Sequence, residues 1–116
     1  MNLVVIRKFD AAHRLYDYKG ICSNLHGHTW KVVFYIQVPE TISKIEGYYE
    51  NITIDFKELK EKLDSILPDH KFINNEVGFN PTAENLTIYL KEKAEKLGLN
   101  ITKIQVWESD ACGVEF

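Results

Sequence analysis

The sequence has 116 residues, a formal net charge of −3, and 45% hydrophobic and 27% charged residues. This length and mixture predict one globular domain over residues 1–116. The mild acidity and the lack of a Lys/Arg run argue against a nucleic-acid or membrane-surface partner. The N-terminal segment becomes charged at once, unlike a secretory signal, and two cysteines are few, so we expect a cytoplasmic protein with free thiols.

Two strands are expected to open the chain. Apolar residues alternate with a period of two over residues 3–15, and a longer alternating face covers residues 26–38. Turn residues over 16–25 predict the loop between these strands. A polar connection over residues 40–51 and a short strand over 52–54 are expected to follow.

A first helix is predicted next. Asp55 has the character of an N-cap, with Glu58 placed to complete a capping box. Apolar residues then recur every three or four positions until Pro68, which indicates an amphipathic helix.

The remaining chain predicts a second helix and a final strand. Residues 69–80 are interpreted as an irregular connection. The helix is expected between residues 80 and 98, opened by a cap-and-proline sequence and stopped by a glycine. Alternation over 102–108 predicts a long strand, which residues 114–116 continue after a turn. The order predicts an α+β fold, an antiparallel sheet with two helices on one face, whose open edges favour oligomerisation.

Three of the four histidines are placed to meet. His26 and His28 are two residues apart at a strand start, so their imidazoles project from one face, and His13 comes beside them if the two strands form a hairpin. Three imidazoles with no fourth ligand at structural spacing are typical of a catalytic Zn²⁺ site, which zinc suits better than copper or nickel. Gly27 is expected to allow a close backbone approach. The alternative is that these are ordinary histidines.

Other residues carry chemistry less specifically. Cys22, four residues before the His-Gly-His sequence, is a candidate thiolate base or ligand, or else a structural thiol. Asp69 and His70 suit either a proton relay or a helix-end charge pair. Glu108 on an apolar strand face would suit a ligand with several N–H donors, and is otherwise a surface charge. Thr82 mostly indicates a helix cap.

Together these motifs resemble one family, the 6-pyruvoyl-tetrahydropterin synthase and 6-carboxytetrahydropterin synthase family. The motifs that carry the resemblance are Phe-Asp-Ala-Ala-His (9–13), Cys-Ser-Asn-Leu-His-Gly-His-Thr-Trp (22–30), Ile-Asp-Phe (54–56), Asp-His-Lys (69–71), Asn-Pro-Thr-Ala-Glu-Asn-Leu (80–86) and Val-Trp-Glu-Ser (106–109). The resemblance implies a tunnelling fold, in which subunits join their sheets edge to edge into a barrel, commonly a trimer doubled to a hexamer.

The resemblance also implies roles. The implied zinc ligands are His13, His26 and His28. Cys22 would abstract the substrate's side-chain proton, and Asp69 with His70 would be its relay partner, often supplied across a subunit interface. Glu108 would anchor the amino-pyrimidine edge of a dihydropterin and take part in catalysis. The further implied substrate contacts are Thr82 and Ala83.

Both branches of the family act on 7,8-dihydroneopterin triphosphate. Three residues separate Cys22 from His26, which resembles the carboxy branch, whereas the pyruvoyl branch usually has a longer insert. The sequence therefore favours a zinc-dependent 6-carboxytetrahydropterin synthase, which releases acetaldehyde and triphosphate and supplies 7-deazaguanine (queuosine or archaeosine) synthesis. The alternatives are pyruvoyl-type elimination of triphosphate alone, a non-catalytic zinc- or pterin-binding protein, and a zinc hydrolase.

Overall fold

A computed structural model describes residues 1–39 and 53–116. Its helices and strands are β1 (Asn2–His13), β2 (His26–Gln37), α1 (Phe56–Asp64), β3 (Lys71–Phe72), α2 (Ile73–Glu76), α3 (Ala83–Lys96), β4 (Ile101–Trp107) and β5 (Gly113–Glu115), with a 3₁₀ turn at Ile21–Ser23. The α+β class is confirmed. The connection predicted over residues 40–51 lies outside the described residues.

Within the described ranges the five strands form one sheet in the order β3-β1-β2-β4-β5. β1 and β2 pair antiparallel over their whole lengths, from Asn2 opposite Gln37 to His13 opposite His26. β4 is antiparallel to β2, and β5 is antiparallel to β4. β3 instead runs parallel to β1, so the prediction of a purely antiparallel sheet is wrong at this edge.

One face of the sheet carries the core. Because side chains alternate along a strand, the odd residues of β1 share this face with the even residues of β2 and β4. Helices α1 and α3 cover this face, as predicted. The fully buried side chains that meet there include Trp30, Phe34, Leu59, Leu63, Leu86, Leu90 and Ile104. Val4 and Ile6 on the opposite face are about half exposed.

The segment between the helices differs from the prediction. Thr53 and Ile54 form a bend rather than a strand, while Ile52 lies outside the described residues. Residues 69–80 contain β3 and α2 instead of an irregular connection. Elements of two and four residues are too short to show a hydrophobic period, which is why the sequence did not reveal them.

The predicted caps of both helices are confirmed, although α1 ends at Asp64 rather than at Pro68. The Asp55 side chain caps α1 by accepting a hydrogen bond from the N–H of Lys57, and Thr82 caps α3 through the N–H of Asn85. Gly98 follows α3 with φ +86°, the left-handed conformation that glycine adopts without strain. None of the described helices is long and apolar enough to cross a membrane.

Candidate metal centre

Three imidazoles converge at the end of the β1–β2 hairpin. His13 pairs with His26, and His28 pairs with Ala11, so all three rings lie on the helix-covered face. The centroids of the rings are 4.5 Å (His13–His26), 4.8 Å (His26–His28) and 5.2 Å (His13–His28) apart. The strand pairing that the sequence predicted is therefore confirmed, and it brings the three histidines together.

Backbone carbonyls orient two of these rings. Nδ1 of His13 lies 2.8 Å from the Pro81 carbonyl oxygen, and Nδ1 of His26 lies 2.7 Å from the Asn24 carbonyl oxygen. A carbonyl can only accept, so each Nδ1 carries the proton and each Nε2 keeps a lone pair. This is how outer carbonyls usually fix metal-binding imidazoles. No sequence motif indicated either carbonyl partner.

The Nε2 atoms of all three histidines lack a hydrogen-bond partner. The Nε2 atoms of His13, His26 and His28 are buried and make no hydrogen bond within residues 1–39 and 53–116. Buried polar atoms are nearly always hydrogen-bonded, so three such atoms at one place indicate a missing ligand. Three imidazole lone pairs suit a divalent transition-metal ion.

Glu108 completes this group. It follows β4 directly, and its Oε1 lies 2.8 Å from Nε2 of His28. The two atoms are close, but they form no hydrogen bond: within the described residues, Nε2 of His28 has no hydrogen-bond partner. The four potential ligand atoms of His13, His26, His28 and Glu108 all lie within 4.8 Å of one another. This group could hold a metal ion.

Burial favours the neutral form of two of the rings. Burial lowers the pKa of His13, although the Pro81 carbonyl opposes the change and His26 reinforces it. Burial also lowers the pKa of His28, against the opposing negative charge of Glu108. Neutral imidazoles are the form that binds metals.

The lowered pKa values predict a pH-dependent stability for the metal-free protein. Around and below the ordinary histidine pKa of 6.5, His13 is more fully protonated in the unfolded chain than in the folded chain, whose His13 pKa is lowered. We therefore expect the urea midpoint of chelator-treated protein to fall as the pH drops through 6.5. The variant His13→Asn keeps a donor for Pro81 but does not titrate, so its midpoint should fall less. An equal fall in both proteins would contradict the assignment.

Cys22 lies in the 3₁₀ turn of the loop between β1 and β2. Its thiol is free and half-buried, and its carbonyl accepts a hydrogen bond of 2.9 Å from the N–H of Leu15. The sulfur is not a member of the His/Glu group. Gly27 does not have the predicted steric role, since an added Cβ would meet only the Ala11 carbonyl at an ordinary 3.7 Å.

Two asparagine side chains hydrogen-bond to the first residues of the loop between β1 and β2. Asn74 accepts from the N–H of Arg14 and donates to its carbonyl, at 3.0 and 2.9 Å. Asn80 does the same for Tyr16, at 3.2 and 2.9 Å. Each amide thus replaces the backbone partner that a neighbouring strand would provide, and no sequence motif indicated either contact.

Asp69 and His70 form the predicted pair but stand apart from the metal group. Oδ2 of Asp69 lies 3.0 Å from Nδ1 of His70, and both side chains are largely exposed. The Asp10 N–H donates to Asp69 at 3.0 Å, which is the largest cause of a lowered Asp69 pKa, followed by His70. His70 has φ +55° and donates its N–H to the Asp10 carbonyl at 2.6 Å.

An open groove of about 590 Å³ lies at the ends of β1 and β2 and beside β3. Its lining residues include Gly27, His28, His70 and Lys71. This volume is within the usual range for small-molecule sites. Thr82 and Ala83 do not line this groove: they follow Pro81, whose carbonyl meets His13, and the Thr82 hydroxyl caps α3.

The chain matches a family of known proteins along nearly its whole length. The family model described as 6-pyruvoyl tetrahydropterin synthase matches residues 2–116. A 6-carboxy-5,6,7,8-tetrahydropterin synthase from Synechocystis is 30% identical over 106 residues, which cover 87% of this chain and 81% of the relative. A dihydroneopterin monophosphate aldolase from Pyrococcus furiosus is 31% identical over 119 residues, which cover 98% and 95%.

Solved structures agree with this fold. A 6-pyruvoyl tetrahydropterin synthase from Caenorhabditis elegans aligns over 100% of this chain and 94% of its own, with a TM-score of 0.74 and 24% identity. The Plasmodium falciparum protein of the same name aligns over 100% and 96%, with a TM-score of 0.68 and 18% identity. On the strength of the match over residues 2–116, this chain belongs to the 6-pyruvoyl tetrahydropterin synthase family.

Proposed function

We propose that this protein is a zinc-dependent 6-carboxy-5,6,7,8-tetrahydropterin synthase. It would convert 7,8-dihydroneopterin triphosphate and water into 6-carboxytetrahydropterin, acetaldehyde and triphosphate, for 7-deazaguanine synthesis. The observation that carries the proposal is the convergence of three buried imidazole Nε2 atoms that lack partners. Relatives named for this activity support it, from Synechocystis and Haemophilus influenzae among others.

The donor set fits Zn²⁺. His13, His26 and His28 would hold the ion, since each is neutral or oriented to present a lone pair. When bound, zinc polarises the side-chain hydroxyl and carbonyl oxygens of the substrate. The Pro81 and Asn24 carbonyls would keep the ring planes fixed while the substrate enters.

Three other side chains would carry out or assist the proton transfers. Cys22 would remove the substrate's side-chain proton at Sγ, and its half-buried place on the loop beside His26 supports this role. Asp69 would orient the His70 ring through Nδ1, so that Nε2 can exchange a proton. Since the His70 side chain is 78% exposed, it is available to a neighbouring subunit's site.

Glu108 would bind the pterin. Its carboxylate has the acceptor pair that the amino-pyrimidine edge requires, and its 31% exposure leaves it open to a ligand. The backbone at Thr82 and Ala83, next to the His13–Pro81 contact, would contact the pterin ring of the substrate. With these contacts, Glu108 would hold the substrate while Cys22 and His70 act.

We also propose the assembly and compartment. Residues 1–116 would form one tunnelling-fold domain, and subunits would join into a trimeric or hexameric barrel. The short edge strands β3 and β5 support this, because each leaves backbone groups available for pairing. Both cysteines are free, in keeping with the reducing cytoplasm.

The product mixture tests the proposed reaction. Zinc-loaded protein given 7,8-dihydroneopterin triphosphate should release acetaldehyde and inorganic triphosphate in equal amounts, together with 6-carboxytetrahydropterin. Triphosphate without acetaldehyde would indicate pyruvoyl-type elimination. A phosphorylated two-carbon aldehyde would indicate aldolase cleavage. This is the specific alternative activity, because the relative from Pyrococcus is named as an aldolase. Either result would replace the proposed reaction.

A further inference from the structure

The loop between β1 and β2, residues 14–25, carries Cys22 without a hydrophobic anchor. None of its residues is buried, and Ile21, next to the cysteine, is 86% exposed. The hydrogen bonds of its 3₁₀ turn give the loop a shape but stay inside it. The position of the loop on the rest of the molecule therefore depends on contacts with other segments.

Two asparagine side chains provide these contacts. Beyond the β1–β2 hairpin itself, the hydrogen bonds that join this loop to the rest of the described chain come from Asn74 and Asn80. Asn80 accepts from the N–H of Tyr16 and donates to its carbonyl. The preceding residue, Leu15, donates its N–H to the Cys22 carbonyl at 2.9 Å. The amide of Asn80 thus holds the backbone next to the hydrogen bond that fixes the cysteine.

Asn80 is itself held in place. Its backbone carbonyl accepts from the N–H of Thr82 at 2.8 Å and from Nδ2 of Asn85 at 2.9 Å. The following residue, Pro81, is buried, and its carbonyl orients His13. One turn of the chain therefore fixes both a metal-group histidine and the cysteine loop. The backbone contacts of this turn do not use the side chain of residue 80.

We infer that Asn80 is a positioning residue, which holds the Cys22 thiol in the place where it removes the substrate proton. The catalytic half of this inference rests on the proposed function. Without the amide, the loop keeps its internal turn but loses a double hydrogen bond to the segment that orients His13. Because a misplacement of about 1 Å can cost about 10²-fold in rate, the loss should appear in the chemical step.

Kinetics of zinc-loaded Asn80→Ala test the catalytic half. We expect kcat to fall by about 10²-fold, while zinc stays stoichiometric and KM changes little, because this side chain bonds to the loop rather than to the imidazoles or to Glu108. Added to Cys22→Ala, the same change should lower kcat no further, since a positioning residue has no effect once the group that it positions is gone. Asn100→Ala is the matched control: this exposed amide donates to Gln37, at the opposite end of the hairpin from the histidines, and kcat should be unchanged.

Alkylation of the thiol tests the positioning half without turnover. In a Cys112→Ala background Cys22 is the only thiol, so its rate of reaction with iodoacetamide reports its own accessibility. This rate should rise several-fold in zinc-loaded Asn80→Ala and stay unchanged in Asn100→Ala. If the alanine variant does not fold, Asn80→Asp serves instead: it keeps the acceptor for the loop N–H but loses the donor, and it should change kcat and the alkylation rate in the same directions.

Two results would overturn the inference. An unchanged alkylation rate in a folded Asn80 variant would show that the loop keeps its place without the amide. An equal loss of kcat from Asn80→Ala with and without Cys22 would show that the residue does not act through the thiol. Full activity in Cys22→Ala would instead refute the proposed base, and the alkylation rates would then decide by themselves whether Asn80 holds the thiol.

Discussion

Replacing His26 with alanine is expected to abolish metal-dependent turnover and to leave the fold in place. The variant keeps two of the three imidazoles, so we expect affinity for zinc to fall by at least about a hundredfold. Loss of metal polarisation removes several kcal/mol of transition-state stabilisation, so kcat should fall by at least about a thousandfold. Metal content after dialysis and steady-state kinetics measure these two effects.

The control for this variant is His70→Asn. Asparagine tolerates the φ of +55° at this position, and the exposed ring belongs to the Asp10–Asp69 group rather than the metal group. It should therefore bind zinc as the unmutated protein does while losing turnover. If His26→Ala retained stoichiometric zinc with unchanged affinity, the three-histidine site would be refuted.

Replacing Cys22 with alanine is expected to separate chemistry from metal binding. Removal of a general base usually lowers the rate by about 10²–10⁴-fold, so kcat should fall by this amount. Zinc content should be unchanged, because the sulfur lies outside the His/Glu group. The thiol is only half-buried, so the urea midpoint should change little.

Cys112 provides the matched control. It is the other free cysteine, it is exposed in the turn between β4 and β5, and its contacts with residues 108 and 109 use only its backbone carbonyl. Cys112→Ala should keep full activity. Full activity in Cys22→Ala would show that another group, such as His70, removes the substrate proton.

The sequence predicted the part of the fold that has a clear period. Alternation over two long strands fixed the β1–β2 hairpin, and the hairpin in turn brought His13 opposite His26. The starts of the two longer helices could be predicted equally well, because caps such as Asp55 and Thr82 bond to the backbone a few residues away.

The remaining features depend on residues that are distant in the chain. The parallel strand β3 has two residues and is defined only by its partner β1, so no local pattern could indicate it. The Pro81 carbonyl reaches His13 across 68 positions. Glu108 was expected to meet a substrate, whereas its contact with His28 depends on the register between β2 and β4. The Gly27 prediction was wrong because the open face of the sheet leaves room there.

The amide contacts of Asn74 and Asn80 mean that this centre cannot be transplanted as a short motif. A synthetic β1–β2 hairpin would carry all three imidazoles, but it would lack both asparagines and the carbonyl that orients His13. Such a peptide could capture an ion while leaving the cysteine loop without a fixed position. Another scaffold could therefore reproduce binding of the ion, whereas a fixed position of the cysteine loop also requires the part of the chain that carries Asn74 and Asn80.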